Sequence, residues 1–290
     1  MQTGIVLSNI SDLYKVELNN IVYDCNARGK FKSNDISPVS GDIVDIDIIN
    51  DEKKTGVITK IHDRKNYFKR PKMANLSQII LVVSMKMPKV DLELLDKQLI
   101  FAEYNHVKPI ICLNKIDLEN EEKIEYISNI YTQIGYKVIK TNAKEGIGVE
   151  ELKKELQNNI TAFSGNSGVG KSTLINNILE TDITLEGEIS NKNKRGKNTT
   201  TQVKLYKIDE NSYVADTPGF STFDVKEIDK KELAKYFIEF RPYLNKCEYG
   251  DCSHIKEEKC AVKEAVQQGK ISKARYERYC KLWNEYVSKY

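Results

Sequence analysis

The sequence predicts a multi-domain protein with three parts. These are a small N-terminal β-barrel of OB-fold type, a central α/β domain, and a C-terminal, mainly α-helical region. Three observations predict it. The first 70 residues read as short strands joined by turn chemistry; from Ser77 strands alternate with helices; and Cys247, Cys252, His254 and Cys260 crowd into one short stretch near the end. The expected boundaries are residues 1–70, 71–225 and 226–290.

In the first part, Ile5 to Leu7, Tyr14 to Leu18, Ile21 to Tyr23, Ile43 to Ile49 and Thr55 to Ile61 are strand-like. Asn19-Asn20, Arg28-Gly29-Lys30, Ser40-Gly41-Asp42 and Asp51-Glu52 supply the turns. Asp42 to Ile48 alternates polar and apolar, so one face is expected inward and one outward. Five such strands close most readily into a small barrel, an OB-fold or an SH3-like one. The exit segment carries Lys60, Arg64, Lys65, Lys69, Arg70 and Lys72 around Tyr67 and Phe68. It reads either as a nucleic-acid surface, where cations meet phosphates and rings stack on bases, or as a solvated linker.

In the second part, Ile79 to Val83 and Pro109 to Leu113 are buried strands by length and β-branching, and Lys137 to Thr141 is a third strand. Helices are expected over Asp91 to Asn105, Glu121 to Gly135 and Val149 to Asn158. Such alternation implies a mainly parallel sheet covered on both faces.

The run Gly165-Asn166-Ser167-Gly168-Val169-Gly170-Lys171-Ser172-Thr173 fits the P-loop pattern G-x-x-x-x-G-K-[ST], between a short strand from Ile160 and a helix to Leu179. Glycines let backbone N–H groups converge on phosphate oxygens, and the helix N-terminus adds positive potential. Lys171 is expected to reach the β- and γ-phosphates, and the Ser172 hydroxyl to hold Mg²⁺.

Asn114-Lys115-Ile116-Asp117 follows a buried strand directly and is the N-K-x-D element that reads a guanine base. A carboxylate at Asp117 accepts from N1–H and the exocyclic amine of guanine, whereas adenine would leave it unpaired, a costly mismatch. Asn114 ties neighbouring loops together, and the Lys115 stem lies over the base. Thr141-Asn142-Ala143-Lys144 resembles the S-A-K element, whose backbone N–H meets the guanine oxygen, with Asn142 in place of Ser. Beyond the P-loop, Thr199-Thr200-Thr201 holds a candidate switch I ligand to Mg²⁺, Thr200 among them. A hairpin over Gln202 to Ala215 then ends in Asp216-Thr217-Pro218-Gly219, a D-x-x-G element. There Asp216 would hold Mg²⁺ through water, and the Gly219 N–H would face the γ-phosphate.

The motif order is unusual. Ordinary GTPases run P-loop, switch I, D-x-x-G, N-K-x-D, S-A-K. This chain places N-K-x-D and the S-A-K equivalent first, which is a circular permutation, tolerable because domain termini lie at the surface and often close together. The segment after Gly219 therefore leads straight into the C-terminal region.

There, Cys247-x4-Cys252-x-His254-x5-Cys260 offers three thiols and an imidazole, a closed tetrahedral set for one structural Zn²⁺. Cys25 and Cys112 lie in strands and read as buried small hydrophobes, and Cys280 lies outside the ligand set in a final helix over Ser272 to Lys289. Tyr276, Tyr279, Trp283 and Tyr286 recur there at helical spacing and are expected to pack. Lys273, Arg275, Arg278, Lys281 and Lys289 face either RNA or solvent.

Of the 290 residues, 40% are hydrophobic and 30% charged, enough for real cores in a water-soluble chain. No apolar run approaches the ~20 residues a bilayer span needs. Met1-Gln2-Thr3-Gly4 does not open a signal peptide, so the expected location is the reducing cytoplasm, with the six cysteines free or metal-bound. A net charge of +3 confines any nucleic-acid binding to local patches.

Together, the barrel, the permuted N-K-x-D and G-N-S-G-V-G-K-S-T, R-G-x-x-T-T-T, D-T-P-G-F and C-x4-C-x-H-x5-C resemble the family of small ribosomal subunit biogenesis GTPases of RsgA/YjeQ type. The resemblance covers essentially the whole chain. It implies a bacterial cytoplasmic protein, expected as a monomer away from membranes, that uses GTP and Mg²⁺ and carries one Zn²⁺. It also implies binding to the small subunit and its rRNA late in assembly, with faster hydrolysis there. Two positions depart from GTPase patterns. Phe220 follows D-x-x-G where Ras-like enzymes place a water-orienting Gln, and Asn198 precedes the threonines where the family usually has a His. Asn198 can hydrogen-bond a water but has no useful pKa, so hydrolysis is expected to be slow until the ribosomal particle completes the site. The competing readings are an RNA-binding protein whose nucleotide only fixes domain positions, and an ATP-dependent kinase, which Asp117 disfavours.

Overall fold

The computed structural model describes residues 2–29, 31, 37–180, 203–216 and 228–287. Strands β1 (Gln2–Ile10), β2 (Leu13–Leu18), β3 (Ile21–Ala27), β4 (Ile43–Asn50) and β5 (Thr55–Ile61) close a barrel in the order β1-β2-β3-β5-β4. The Asn19-Asn20 turn works because both residues adopt positive φ, 51° and 66°, the twist that a tight hairpin needs. Val6, Val16, Cys25, Val44 and Ile58 fill the barrel and are fully buried.

Two expectations for this region need correction. The polar positions of β4 are not simply outward: Asp45 is buried, accepting from Thr3 Oγ1 at 2.7 Å and pairing with His62 Nε2 at 2.8 Å. The basic exit segment is no solvated linker either. It folds into a hairpin of β6 (Tyr67–Lys69) and β7 (Lys72–Ala74), and Phe68 and Met73 enter the core. Arg64 grips Asp42 with two hydrogen bonds of 2.7 and 2.8 Å and covers the Tyr67 ring at 4.7 Å, so part of its charge and aromatic content is structural.

The central sheet has six strands: β8 (Gln78–Ser84), β9 (Lys108–Asn114), β10 (Lys137–Thr141), β11 (Ile160–Ser164), β12 (Lys204–Asp209) and β13 (Ser212–Asp216). Their order is β10-β9-β8-β11-β13-β12, parallel throughout except for the β12–β13 hairpin. Helices α1 (Leu92–Tyr104) and α2 (Glu121–Thr132) cover one face through Leu95, Leu99, Ile127 and Tyr131. Helices α3 (Val149–Glu155) and α4 (Lys171–Leu179) cover the other through Leu152, Leu174 and Ile178. Helix α3 stops short of Asn158, which turns left-handed at φ 57°, and α2 stops short of Gly135 at φ 103°.

The C-terminal region is a chain of 3₁₀ turns over Lys230–Tyr236, Ile238–Phe240 and Leu244–Lys246, followed by α5 (Ala261–Gln267) and α6 (Lys273–Val287). Phe237, Phe240 and Tyr279 form its centre, with ring centroids 5.0–5.2 Å apart. Tyr276, Tyr279 and Trp283 of α6 do pack, as their spacing predicts; the side chain of Tyr286 lies outside the described residues. Arg275 and Arg278 face neither RNA nor solvent: both end on the buried carboxylate of Asp96 in α1.

Candidate nucleotide site and metal centre

At the carboxyl edge of the sheet, β9 and β11 deliver Asn114 and the P-loop side by side. The register pairs Asn114 with both Ser84 and Thr141, so the tips of three strands meet. Asn114 is buried, and its amide closes the group. Nδ2 donates to the Val169 carbonyl at 2.8 Å; Oδ1 accepts from Thr141 Oγ1 at 3.0 Å and from the Ala143 N–H at 3.1 Å. Asn177 of α4 adds a bond to the Ala143 carbonyl at 2.6 Å. Two segments 55 residues apart in sequence are thereby fixed to each other.

Two glycines are demanded by this approach. A Cβ on Gly170 (φ 102°) would sit 2.3 Å from Asn114 Nδ2, and one on Gly165 (φ 143°) would sit 2.2 Å from the Val82 carbonyl oxygen. Lys115 stands in the left-handed region at φ 60°; its ammonium donates to Gly168 O at 2.7 Å and also to Met87 O, so its stem spans the loop. Ile116 and Asp117 form a single 3₁₀ turn, which leaves Asp117 exposed at the rim.

Within the P-loop, Lys171 Nζ donates to the carbonyls of Gly165 at 2.7 Å and Asn166 at 2.9 Å. Burial pushes this amine below its ordinary value, and among the described residues no carboxylate offsets it. Ser172 and Thr173 are exposed in the first turn of α4, Asn166 and Ser167 lie on the loop, and Asp216 stands at the end of β13. Burial pushes the Asp216 carboxyl up, and among the described residues Lys204 offsets this only in part. An anionic phosphate beside Lys171 and a cation beside Asp216 fit these two deficits.

The four expected metal ligands converge. One donor atom from each of Cys247, Cys252, His254 and Cys260 lies within 4.8 Å of every other. His254 Nδ1 is 3.6 Å from Cys247 Sγ and 3.4 Å from Cys260 Sγ, and the two sulfurs are 3.9 Å apart. A tetrahedron with Zn–S near 2.3 Å and Zn–N near 2.0 Å has edges of about 3.5–3.8 Å, so Cys247, His254 and Cys260 already stand close to three vertices of a Zn²⁺ site, with Cys252 within reach of the fourth. Burial raises the Cys252 thiol to about 12 and lowers the His254 imidazolium, so the imidazole is ready as a neutral donor and the thiols release protons on binding. Helix α6 holds the loop from behind: Tyr279 donates to Ser253 O and Tyr276 to His254 O, both at 2.7 Å.

Comparison with known proteins follows the same pattern. The RsgA GTPase model matches residues 61–226, and the RsgA N-terminal domain model matches residues 3–58. The chain belongs to the RsgA GTPase family. It is 42% identical over 285 residues to a small ribosomal subunit biogenesis GTPase RsgA of Ruminiclostridium cellulolyticum, covering 98% of this chain and 93% of that one. It superposes on YjeQ from Thermotoga maritima with a TM-score of 0.85 at 38% identity, over 99% and 98% of the two chains. YloQ, a circularly permuted GTPase, aligns with a TM-score of 0.84 at 32% identity, over 100% of this chain and 96% of that one. The family is one of GTP hydrolases, and the likeness to YloQ agrees with the permuted motif order of this chain.

Asn198, Thr200, Gly219 and Phe220 fall outside the described residues. Three contributors went unassigned in the sequence. Thr141 orients Asn114, Asn177 braces the Ala143 loop, and Gln98 of α1 donates to Ser164 Oγ at 2.9 Å just ahead of the P-loop. Thr141 stood beside a recognised motif; Gln98 carried no signal, being one polar residue in an amphipathic helix.

Proposed function

We propose that this RsgA-family protein hydrolyses GTP in step with late maturation of the small ribosomal subunit, binding its rRNA and turning over faster on the particle. One observation carries the reading. The buried Asn114 amide joins the base-reading loop to the phosphate loop, so a single guanine nucleotide spans both. Asp117 reads the base edge, Lys115 and Ile116 flank it, and the Ala143 segment closes the base side. Residues 165–173 cradle the phosphates, with Lys171 supplying the charge. Ser172 and Asp216, with a threonine of the 199–201 run, hold Mg²⁺, which when bound neutralises charge on the phosphate oxygens. The Gly219 N–H faces the γ-phosphate.

Asn198 takes the place of a hydrolytic His and orients water without titrating, while Phe220 offers no polar atom. Intrinsic turnover is therefore slow. An OB-fold RNA-binding barrel (1–70) and a zinc-binding helical region (226–290) flank the circularly permuted GTPase domain (71–225). The protein works as a cytoplasmic monomer; no helix among the described residues is long and apolar enough to cross a membrane.

Turnover of GTP measured without and with purified small subunits tests the reading. Stimulation by the particle is expected, and Lys171→Ala should abolish turnover while leaving the metal centre folded. Equal rates with and without particles would contradict the ribosomal part, and undiminished turnover in Lys171→Ala would remove the P-loop assignment.

A further inference from the structure

Helix α1 touches both the floor of the P-loop and the C-terminal region. On one side, Gln98, 1% exposed, donates from Nε2 to Ser164 Oγ at 2.9 Å, and Ser164 is itself 1% exposed. Ser164 directly precedes Gly165, whose carbonyl receives Lys171 Nζ. Gln98 also lines the small cleft beneath Gly165, Asn166 and Val169. At the head of the helix, the capping carboxylate of Asp91 meets Asn166 Nδ2 at 3.5 Å.

The other side belongs to the C-terminal region. Asp96 is fully buried and accepts from Arg278 Nε at 2.5 Å, from Tyr131 at 2.9 Å and from Arg275. Lys97–Glu285 and Glu93–Lys281 pair at 3.0 and 2.5 Å around it. At about 100° per residue, positions 96 and 98 point to nearly opposite sides of one helical turn. Both bonded pairs, Gln98–Ser164 and Asp96–Arg275, are enclosed, with every member at 1% exposure or less.

We propose that Gln98 is a positioning residue for the P-loop, and that with Asp96 it makes α1 a strut coupling nucleotide occupancy to the seating of α6. The inference rests on the nucleotide reading above. It adds a route that bypasses the segment following Asp216. Phosphate loading fixes Gly165 and hence Ser164; the buried amide carries that restraint to α1; and the Asp96 carboxylate carries it to Arg275 and Arg278. Coupling of this kind is reciprocal, so loosening α6 weakens nucleotide binding by the same factor.

The test is amide hydrogen exchange of α6 in the full-length, metal-loaded protein, with and without GDP and Mg²⁺, and GDP binding measured in parallel by calorimetry. GDP should slow α6 exchange about five- to tenfold in the wild type. Ser164→Ala and Gln98→Met should erase that protection, while Ser164→Thr, which keeps the hydroxyl, should restore it. A merely structural role would change basal α6 exchange equally with and without GDP. If GDP binds and α6 does not respond, or if Ser164→Ala keeps full protection, the strut is refuted and the nucleotide reading survives. If calorimetry finds no GDP binding, both fall together. Ser164→Ala leaves Gln98 in place and so keeps the test open if Gln98→Met fails to fold.

Discussion

The central sheet is held by two seams of opposite character. On the barrel side, Glu17 lies at the junction with β12 and β13. It accepts from Tyr213 Oη, from Lys207 Nζ at 2.9 Å and from the Asn20 N–H at 2.7 Å; nearby, Ser40 Oγ donates to Val203 O at 2.7 Å. Glu17 and Ser40, with Asn20 Oδ1 accepting from Lys207 Nζ at 2.6 Å and Ile5 packed in one core with Leu205, thus tie the barrel to the hairpin that ends in Asp216. On the C-terminal side, Asp96, Arg275, Arg278, Glu239 and Tyr131 form one enclosed cluster, with Arg275 sending a forked pair to Glu239 at 2.7 and 3.1 Å. The first seam can be loosened one bond at a time. The second holds two guanidinium groups against two carboxylates in a dry setting, where losing one partner strands the others. The seam beside the strand that ends in Asp216 is therefore expected to be the softer one.

Breaking the C-terminal cluster should therefore have the largest effect. Asp96→Ala leaves Arg275 with Glu239 and Arg278 with the Tyr131 hydroxyl in place of a carboxylate, and is expected to cost about 3–5 kcal/mol, read by chemical denaturation. A loss below about 1 kcal/mol would mean that water enters the seam and the contrast between the two sides is false.

Removing the metal comes next. Chelation should open residues 247–260 and α6 to protease while the barrel stays resistant, because Tyr276 and Tyr279 bond to the metal loop and nothing in β1–β5 does. Simultaneous loss of both regions would show one cooperative unit rather than two seams.

The barrel side should respond more gently and with a pH signature. Burial pushes the Glu17 carboxyl up, but the hydrogen bonds from Tyr213, Lys207 and Asn20 and the Lys207 charge outweigh it, leaving it below 4.5. A lowered carboxylate contributes stability that is present above 4.5 and lost as pH falls through the native value. Glu17→Gln should cost about 1–2 kcal/mol at pH 7 and flatten the acid limb of the melting profile below pH 4.5. An unchanged acid limb would take Glu17 out of the seam. Ser40→Ala should cost least, about 1 kcal/mol, detectable as faster exchange of the β12 amides.

Much of this was legible in the sequence because the relevant physics is local. The P-loop, Asn114 to Asp117 and the Cys/His spacing each need neighbouring residues in a fixed order, and strand-helix alternation needs only periodicity. The seams were not legible. Asp96 and Arg275 are 179 positions apart, and Glu17 and Tyr213 are 196; a polar contact across such a span leaves no pattern in either segment. For the same reason Arg275 and Arg278 looked like surface cations in α6, and Phe68 looked available to stack on a base although it fills the core. Asp45 misled alternation because Thr3 and His62, from other parts of the barrel, pay for its burial.

The measurement that bears most directly on the account is calorimetric titration of the magnesium- and zinc-supplied protein with GDP, GTP and ATP, repeated on Asn114→Ala. Guanine nucleotides should bind and ATP should not. Asn114→Ala should weaken GDP binding about tenfold or more, since it unties Val169 from the Thr141–Ala143 loop. Equal affinity for ATP and GTP, or GDP binding unchanged in Asn114→Ala, would contradict a single guanine site built from two distant segments.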